Sequence, residues 1–198
     1  GRAQRVAIYL DKRVETVVSV FATSIAGGVF VPVNPLLRPR QVGHIIDDCG
    51  ARVLVTSADR FDQLEDQLAD CKTIERVVLV GDGRRARPGA RYEIVEWATV
   101  ASSGDEPVDR GAVDLDMAAI LYTSGSTGRP KGVVLSHRNL IVGAESVSHY
   151  LANHCHDVIL AALPLSFDAG FSQLTTAFST GAHVVLMNEA YVEEAAAE

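Results

Sequence analysis

The stretch Leu121-Tyr-Thr-Ser-Gly-Ser-Thr-Gly-Arg-Pro-Lys-Gly132 lies between two short apolar runs of strand length, 117–122 and 133–135. Its residues 123–132 comprise three glycines, four hydroxyl residues, one proline and two basic residues. Glycines let backbone N–H groups approach an anion closely, and hydroxyl groups can donate to phosphate oxygens. Lys131 adds a mobile positive charge at the end of the loop. The composition therefore predicts a loop that cradles phosphate groups.

The loop differs from the phosphate loop of P-loop nucleotidases. That motif requires a glycine directly before the lysine, a serine or threonine directly after it, and a helix that begins there. Here two residues separate Gly128 from Lys131, Gly132 follows the lysine, and the next segment is predicted to be a strand. A plain Gly/Ser-rich surface loop is the alternative interpretation, and the ordered hydroxyls and the Pro-Lys-Gly exit argue against it.

Short apolar runs alternate with segments of helical periodicity in the first 80 residues. The runs are 6–10, 29–31, 53–55 and 77–80, and the helical stripes between them are 14–25, 39–49 and 61–68. Strands that are apolar throughout are buried on both faces of a sheet, and helices between them allow right-handed crossovers. We therefore predict an α/β fold of doubly wound, mostly parallel sheets with helices on both faces.

The pattern weakens between residues 81 and 116, where Gly, Arg, Pro and Asp dominate and 92–97 is the only apolar island. Periodicity resumes at Met117 and continues towards the end of the chain. We predict three parts: a first α/β subdomain portion (1–80), a linker or surface excursion (81–116), and a second α/β portion that carries the loop (117–198). Both ends lack the features of a natural terminus, so we expect an internal piece of a longer polypeptide.

Composition excludes several classes of protein. The net charge of −7 argues against nonspecific nucleic-acid binding, which requires a basic face. No apolar run approaches the roughly 20 residues that span a bilayer. The three cysteines are far apart and form no C-x-x-C pair, which favours a reducing compartment and a cytoplasmic location. His154-Cys155-His156 invites a metal hypothesis, but no second Cys or His cluster accompanies it, so we predict a turn and no metal site.

Residues 122–133 resemble the phosphate-loop signature of the adenylate-forming superfamily, which contains acyl-CoA synthetases, peptide-synthetase adenylation domains and luciferases. Two further segments resemble that family in the same order along the chain. Ala26-Gly-Gly-Val-Phe-Val-Pro-Val-Asn-Pro35 is similar to its early Gly-Gly-x-x-x-Pro-x-x-Pro segment, and Leu163-Pro-Leu-Ser-Phe-Asp-Ala-Gly170 to the segment that lines the acyl pocket. The resemblance implies the large N-terminal domain of such an enzyme.

The resemblance implies an ATP-dependent ligase that forms an acyl-adenylate and then a thioester. A carboxylate attacks the α-phosphorus of ATP with Mg²⁺ present, and a thiol, usually that of coenzyme A, displaces AMP. A C-terminal domain of the same polypeptide takes part. The residues that would hold the β- and γ-phosphates are Thr123, Ser124, Gly125, Ser126, Thr127 and Gly128. Lys131 would support the loop and the departing pyrophosphate.

The substrate class depends on Phe167, Asp168 and Gly170. In many acyl-CoA synthetases of the family that this chain resembles, the position of Phe167 carries an aromatic residue or a histidine that gates the acyl pocket. Amino-acid-activating relatives carry Phe-Asp-x-Ser, in which the Asp anchors the substrate amine. Gly170 replaces that serine, and Asp168 could instead cap a helix that begins near Gly170. Asn34 stands where peptide-synthetase relatives carry Asp. We therefore prefer an acyl or aryl acid with coenzyme A, and keep an amino-acid-activating adenylation domain as the alternative.

Other functional segments of this family are not found in the sequence, namely a Tyr-Gly-x-Thr-Glu segment, a later ribose-binding Asp and a C-terminal catalytic Lys. We therefore expect this chain alone to bind ATP weakly and to make no acyl-adenylate. Detection of acyl-adenylate formation by this chain would contradict that expectation. A noncatalytic nucleotide-binding protein of the same fold is a further alternative, since fold does not fix function.

Overall fold

The computed structural model describes residues 2–81, 88–102, 112–124 and 130–188. Strands and helices alternate through most of these ranges. In chain order they are β1 (Arg5–Tyr9), α1 (Val14–Ile25), β2 (Val29–Pro32), α2 (Pro39–Cys49), β3 (Val53–Ser57), α3 (Ala58–Asp70), β4 (Arg76–Val80), β5 (Glu93–Glu96), α4 (Trp97–Ser102), β6 (Met117–Ser124), β7 (Pro130–Ser136), α5 (His137–Leu151), β8 (Val158–Ala161), α6 (Asp168–Thr180) and β9 (His183–Leu186).

The main sheet has seven strands in the order β5-β4-β3-β1-β2-β6-β7. Neighbouring strands run parallel from β5 to β6, and β7 returns antiparallel to β6. The chain moves from β1 to β2 in one direction and then crosses β1 to reach β3. Right-handed crossovers therefore place α1 on the opposite face from α2 and α3. The predicted doubly wound, mostly parallel α/β fold is confirmed.

Each face of the main sheet has its own apolar core. On one face, residues of α2 and α3 such as Ile45, Ile46 and Phe61 pack against Ala7 and Tyr9 of β1, and all are buried. The neighbouring side chains of the strands point the other way and meet α1 and α6. The buried members of this second core are Ile8, Leu10, Val20, Phe30, Val55, Val78, Val80, Ala119, Leu165, Phe171 and Leu174. Burial on both faces explains why the strands are apolar throughout.

Strand β5 and helix α4 lie within the segment that was predicted to be a linker or excursion. Residues 93–96 read Glu-Ile-Val-Glu, and each pairs in parallel with a residue of β4, from Arg76 to Leu79. An edge strand with charged ends has too short an apolar run to stand out in a sequence, and such charges protect a sheet edge. The centre of the apolar island, residues 93–96, is therefore part of the main sheet, and Trp97 begins α4. The boundaries at 80 and 117 remain a prediction about domain organisation, although β6 and β7 join the same sheet as β1–β5.

A second, two-stranded sheet is formed by β8 and β9, which pair in parallel. Helix α6 connects these strands and packs on the main sheet through aromatic contacts. The rings of Phe30 and Phe171 have centroids 5.0 Å apart, and those of Phe21 and Phe178 are 5.3 Å apart. Such pairs contribute about 0.5–1.5 kcal/mol each beyond the area that they bury. Aromatic packing therefore fixes α6 against β2 and α1.

Helix α6 begins at Asp168, two residues earlier than the sequence predicted. Phe167 is the N-cap, and its carbonyl accepts the first helical hydrogen bond from the N–H of Phe171 at 2.8 Å. Asp168 is therefore in the first turn, and the prediction that it caps the helix is wrong. A Cβ atom at Gly170 would lie 2.0 Å from the carbonyl oxygen of Pro164. The close approach of that carbonyl is the physical reason for glycine at this position.

All three cysteines are free thiols. Cys49 and Cys71 are buried and Cys155 is exposed. Burial raises the pKa of the Cys49 thiol to about 11, so that thiol stays protonated at neutral pH. Across the described residues, no helix has the length and apolar character required to cross a membrane.

Gly170→Ala is expected to lower the free energy of unfolding by about 1–3 kcal/mol, because the new methyl group forces the Pro164 carbonyl and the start of α6 apart. Gly143→Ala in α5 is the matched control, since a Cβ there meets nothing within 4 Å. Alanine at an exposed helical position should raise stability by about 0.5–1 kcal/mol. Urea unfolding of both variants measures the difference. Equal stability of the two variants would show that the contact at Pro164 carries no strain.

Candidate functional site

The phosphate-loop segment occupies the connection between β6 and β7, which form an antiparallel pair. Thr123 pairs with Lys131 and Ser124 with Pro130, next to the connection. The assignments of Gly125, Ser126, Thr127 and Gly128, and the side chain of Ser124, fall outside the described residues. Thr123 and Lys131 are therefore the two predicted phosphate-binding residues whose side chains the structure describes.

Thr123 and Lys131 lie side by side at the exposed end of the hairpin. Residues directly opposite in an antiparallel pair project from the same face, with Cβ atoms about 4.5–5.5 Å apart. Both residues are exposed to solvent. The pairing therefore presents one hydroxyl and one ammonium group together, a combination that can bind phosphate oxygens.

Gly132 permits the tight packing of this hairpin. A Cβ atom there would lie 2.6 Å from Cγ2 of Ile120 and 3.2 Å from Cζ of Tyr122. Gly132 pairs with Tyr122, so the absence of a side chain on β7 leaves the space that the tyrosine ring occupies. The last glycine of the motif is thus explained by packing between β6 and β7.

The hydroxyl of Tyr122 donates a hydrogen bond to Oδ2 of Asp48 at 2.5 Å. Asp48 lies in the last turn of α2, which packs under the same face of the sheet. Burial and the hydrogen bond to this carboxylate raise the pKa of Tyr122 above that of a free phenol, so the hydroxyl remains a donor at neutral pH. Sequence reasoning gave no role to Tyr122 or Asp48, because 74 residues separate them and no local pattern links them.

The predicted acid-binding segment follows β8 and leads into α6. Phe167 and Asp168 are exposed, and Gly170 is buried against Pro164. Asp168 lies in the first turn of α6. Phe167 and Asp168 are therefore accessible to a ligand, whereas Gly170 shapes the loop that presents them.

A cavity of about 520 Å³ lies between this segment and the carboxyl ends of β1 and β2. Open α/β sheets bind ligands in crevices outside the carboxyl ends of their strands, and this cavity lies at such an edge. The polar lining residues are Asp11, Lys12, Thr16, Asn34, Ser166 and Asn188. The apolar lining residues are Ile8, Leu10, Pro32, Val33, Pro35, Leu36, Pro164 and Leu165. A mostly apolar wall with a few polar groups is typical of small-molecule sites.

Basic side chains hold the walls of this cavity in place. The Lys12 ammonium donates to the carbonyl oxygens of Ala161 at 3.0 Å and Ala162 at 2.5 Å, directly before the acid-binding segment. Arg60 forms an ion pair with Asp11 at 2.6 Å and donates to the carbonyl oxygen of Pro35 at 2.8 Å. These contacts join the second sheet and the loop after β2 to the end of β1.

The histidines at 154 and 156 occupy the turn before β8. Nδ1 of His154 lies 3.1 Å from Oδ1 of Asp157, and the two imidazole rings are 5.9 Å apart. Asp157 also accepts from the backbone N–H of His154 at 2.9 Å, which closes the turn. Among the residues that the structure covers, no group of three or more His, Cys, Asp or Glu side chains converges on a possible metal position.

Comparison with known proteins places these features in a family. The sequence model of the AMP-binding enzymes matches residues 1–197. A probable non-canonical nonribosomal peptide synthetase of Salinispora arenicola, CymA, is 30% identical over 192 residues, which cover 96% of this chain and 2% of the synthetase. The chain thus spans a small fraction of the length of that relative.

Two solved structures share the fold. The ATP-bound MatB from Rhodopseudomonas palustris is 27% identical, with a TM-score of 0.79 over 100% of this chain and 38% of MatB. The anthranilate CoA ligase AuaEII, solved with anthranoyl-AMP, has a TM-score of 0.86 at 24% identity over 98% of this chain and 37% of that ligase, and this likeness shows the fold alone. With the family match over nearly its whole length, the chain belongs to the AMP-binding enzymes, the adenylate-forming superfamily that its phosphate-loop segment resembles.

Proposed function

We propose that this chain supplies the ATP-phosphate-binding part of an enzyme that activates a carboxylic acid as an acyl-adenylate. The observation that carries the proposal is the β6–β7 hairpin, which sets Thr123 beside Lys131 at an exposed end. Strand β6 is parallel to β2, so this end lies on the same edge of the sheet as the cavity at the carboxyl ends of β1 and β2. The phosphates of ATP at the hairpin and a carboxylic acid near the cavity would thus lie along the same edge of the main sheet.

The proposed reaction joins two anions. The carboxylate oxygen forms a bond to the α-phosphorus of ATP, and the bond from that phosphorus to the bridging oxygen of pyrophosphate breaks. Positive charge and hydrogen-bond donors fixed in advance reduce the repulsion and stabilise the departing pyrophosphate. Lys131 and the hydroxyl of Thr123 would contribute at the β- and γ-phosphates. Mg²⁺, when bound, would neutralise further phosphate charge, held mainly by phosphate oxygens and water.

Two substrate classes fit the acid-binding segment. An amino acid is favoured by Asp168, whose exposed carboxylate follows Phe167 as in the Phe-Asp pair of amino-acid-activating relatives. Peptide synthetases among the curated relatives agree with this class. An acid without an amine, transferred to coenzyme A, was preferred from the sequence because of Asn34, and solved CoA ligases share the fold. We propose the amino acid as at least an equal candidate, with the carboxylate of Asp168 as the group that binds its ammonium.

Lys131→Ala is expected to weaken ATP binding by this chain roughly tenfold or more, because a charge-assisted hydrogen bond to phosphate is lost. ATP titration followed by NMR or calorimetry measures the dissociation constant. Lys72→Ala removes the same charge from an exposed position after α3 and should leave the constant unchanged. Equal affinity of wild type and Lys131→Ala would count against the phosphate-binding role and favour a noncatalytic protein of the same fold.

Asp168→Ala is expected to abolish selectivity for an amino acid over its des-amino analogue, because the carboxylate that pairs with the ammonium is removed. Chemical-shift titration of the chain with matched pairs, such as an amino acid and the corresponding acid without the amine, measures this. Asp59→Ala is the matched control, since Asp59 also lies in the first turn of a helix. If Asp168→Ala changed the affinity for the amino acid and for its des-amino analogue equally, the amine-binding role would be refuted and an acyl or aryl acid would be favoured.

A further inference from the structure

The hydrogen bond between Tyr122 and Asp48 connects the phosphate-binding hairpin to a helix of the first α/β portion. Tyr122 immediately precedes Thr123 on β6 and pairs with Gly132, the residue after Lys131. Its side chain is 8% exposed, and the hydroxyl at the end of the ring reaches Asp48 at 2.5 Å. The contact therefore acts on the two strands at the point where they lead into the connection.

Helix α2 provides a fixed support for this contact. Val42, Ile45 and Ile46 on its inner face are fully buried in the core beneath the sheet. The helix ends at Cys49, and the following Gly50 adopts the left-handed conformation and donates back to the carbonyl of Asp47. Asp48 thus projects from the last turn of a helix that is held along its length.

The end of the hairpin lies at the margin of the main sheet, where β7 is the edge strand. Beyond Tyr122, β6 extends past the registered pairing with β2, which is recorded at Phe30 and Ala119. Val133 and Val134 of β7 point to opposite faces and are both about half exposed, so this edge strand is only partly covered on either face. The hydrogen bond from Tyr122 to Asp48 therefore adds a directional contact with α2 to the packing of the tyrosine ring in the core.

We infer that Tyr122 and Asp48 are positioning residues, whose hydrogen bond fixes Thr123 and Lys131 relative to α2. The inference rests on the proposed function for what those two residues bind. The hydroxyl of Tyr122 does not touch phosphate in this arrangement. It restrains the strand that carries the binding groups, so its loss should weaken ATP binding through the geometry of the hairpin.

The first test measures ATP affinity in variants of this chain. Tyr122→Phe and Asp48→Ala are each expected to raise the dissociation constant roughly three- to tenfold, the effect of one intramolecular hydrogen bond. The double variant should bind ATP as tightly as the single variant with the higher dissociation constant, because both substitutions remove the same contact. Asp48→Asn keeps an acceptor oxygen and should restore most of the affinity. Tyr9→Phe, which removes a hydroxyl that donates to the carbonyl of Leu37 at 3.1 Å, is the control.

The second test measures amide hydrogen exchange without nucleotide, so it does not depend on ATP binding. Tyr122→Phe should accelerate exchange at Thr123 and Lys131 about three- to tenfold and leave Leu54 of β3 unchanged. Unchanged exchange at the hairpin, or equal acceleration at Leu54, would overturn the inference even if affinity falls. If wild type binds no ATP but the hairpin exchange responds as expected, the proposed function fails and the positioning contact stands. Additive losses in the double variant would also overturn the inference.

Discussion

Phe30 joins the parts of the molecule on which the candidate site depends. Its backbone forms the registered parallel pair with Ala119 of β6, and its ring packs on Phe171 of α6 at 5.0 Å. The side chain is 1% exposed, and burial of a phenylalanine contributes about 1.5–3 kcal/mol. One residue of β2 therefore contacts both the strand that leads into the proposed phosphate-binding hairpin and the helix that begins at the proposed acid-binding segment.

The parallel order of the strands also determines which loops meet at the edge of the sheet that carries the candidate site. Because β1, β2 and β6 are parallel, the loops after all three strands leave from the same edge. Lys12 then attaches the end of β8 to the loop after β1, so that the segment before α6 returns to that edge. A site for an anionic nucleotide and a carboxylic acid needs groups from distant parts of the sequence in one place, and parallel strands with crossover helices provide this.

The sequence predicted the parts of the molecule that depend on local patterns. Continuous apolar runs and helical stripes identified β1 to β4 and α1 to α3, because burial on both faces of a parallel sheet leaves a strong signal. Strand β5 was missed because two apolar residues between glutamates give no such signal. The start of α6 was placed too late because the cap is the backbone of Phe167, which no side-chain preference marks.

Some residues of the candidate site could be predicted from a local sequence pattern, and others could not. Thr123 and Lys131 were identified from the composition of their loop, since glycines, hydroxyls and a lysine together suit phosphate. The contact between Tyr122 and Asp48 joins residues 74 positions apart, and only the pairing of β2 with β6 brings them together. Long-range contacts of this kind depend on sheet order, which local periodicity does not determine.

Gly170 shows how backbone geometry can explain a departure from a family pattern. In the Phe-Asp-x-Ser pattern a serine stands at this position, and its replacement by glycine argued from the sequence against an amine-binding role for Asp168. A Cβ atom at this position would lie 2.0 Å from the Pro164 carbonyl oxygen, so any side chain would collide with the preceding loop. Glycine is thus a consequence of how closely that loop approaches α6. The glycine therefore does not argue against the proposed amine-binding role of the exposed Asp168 carboxylate.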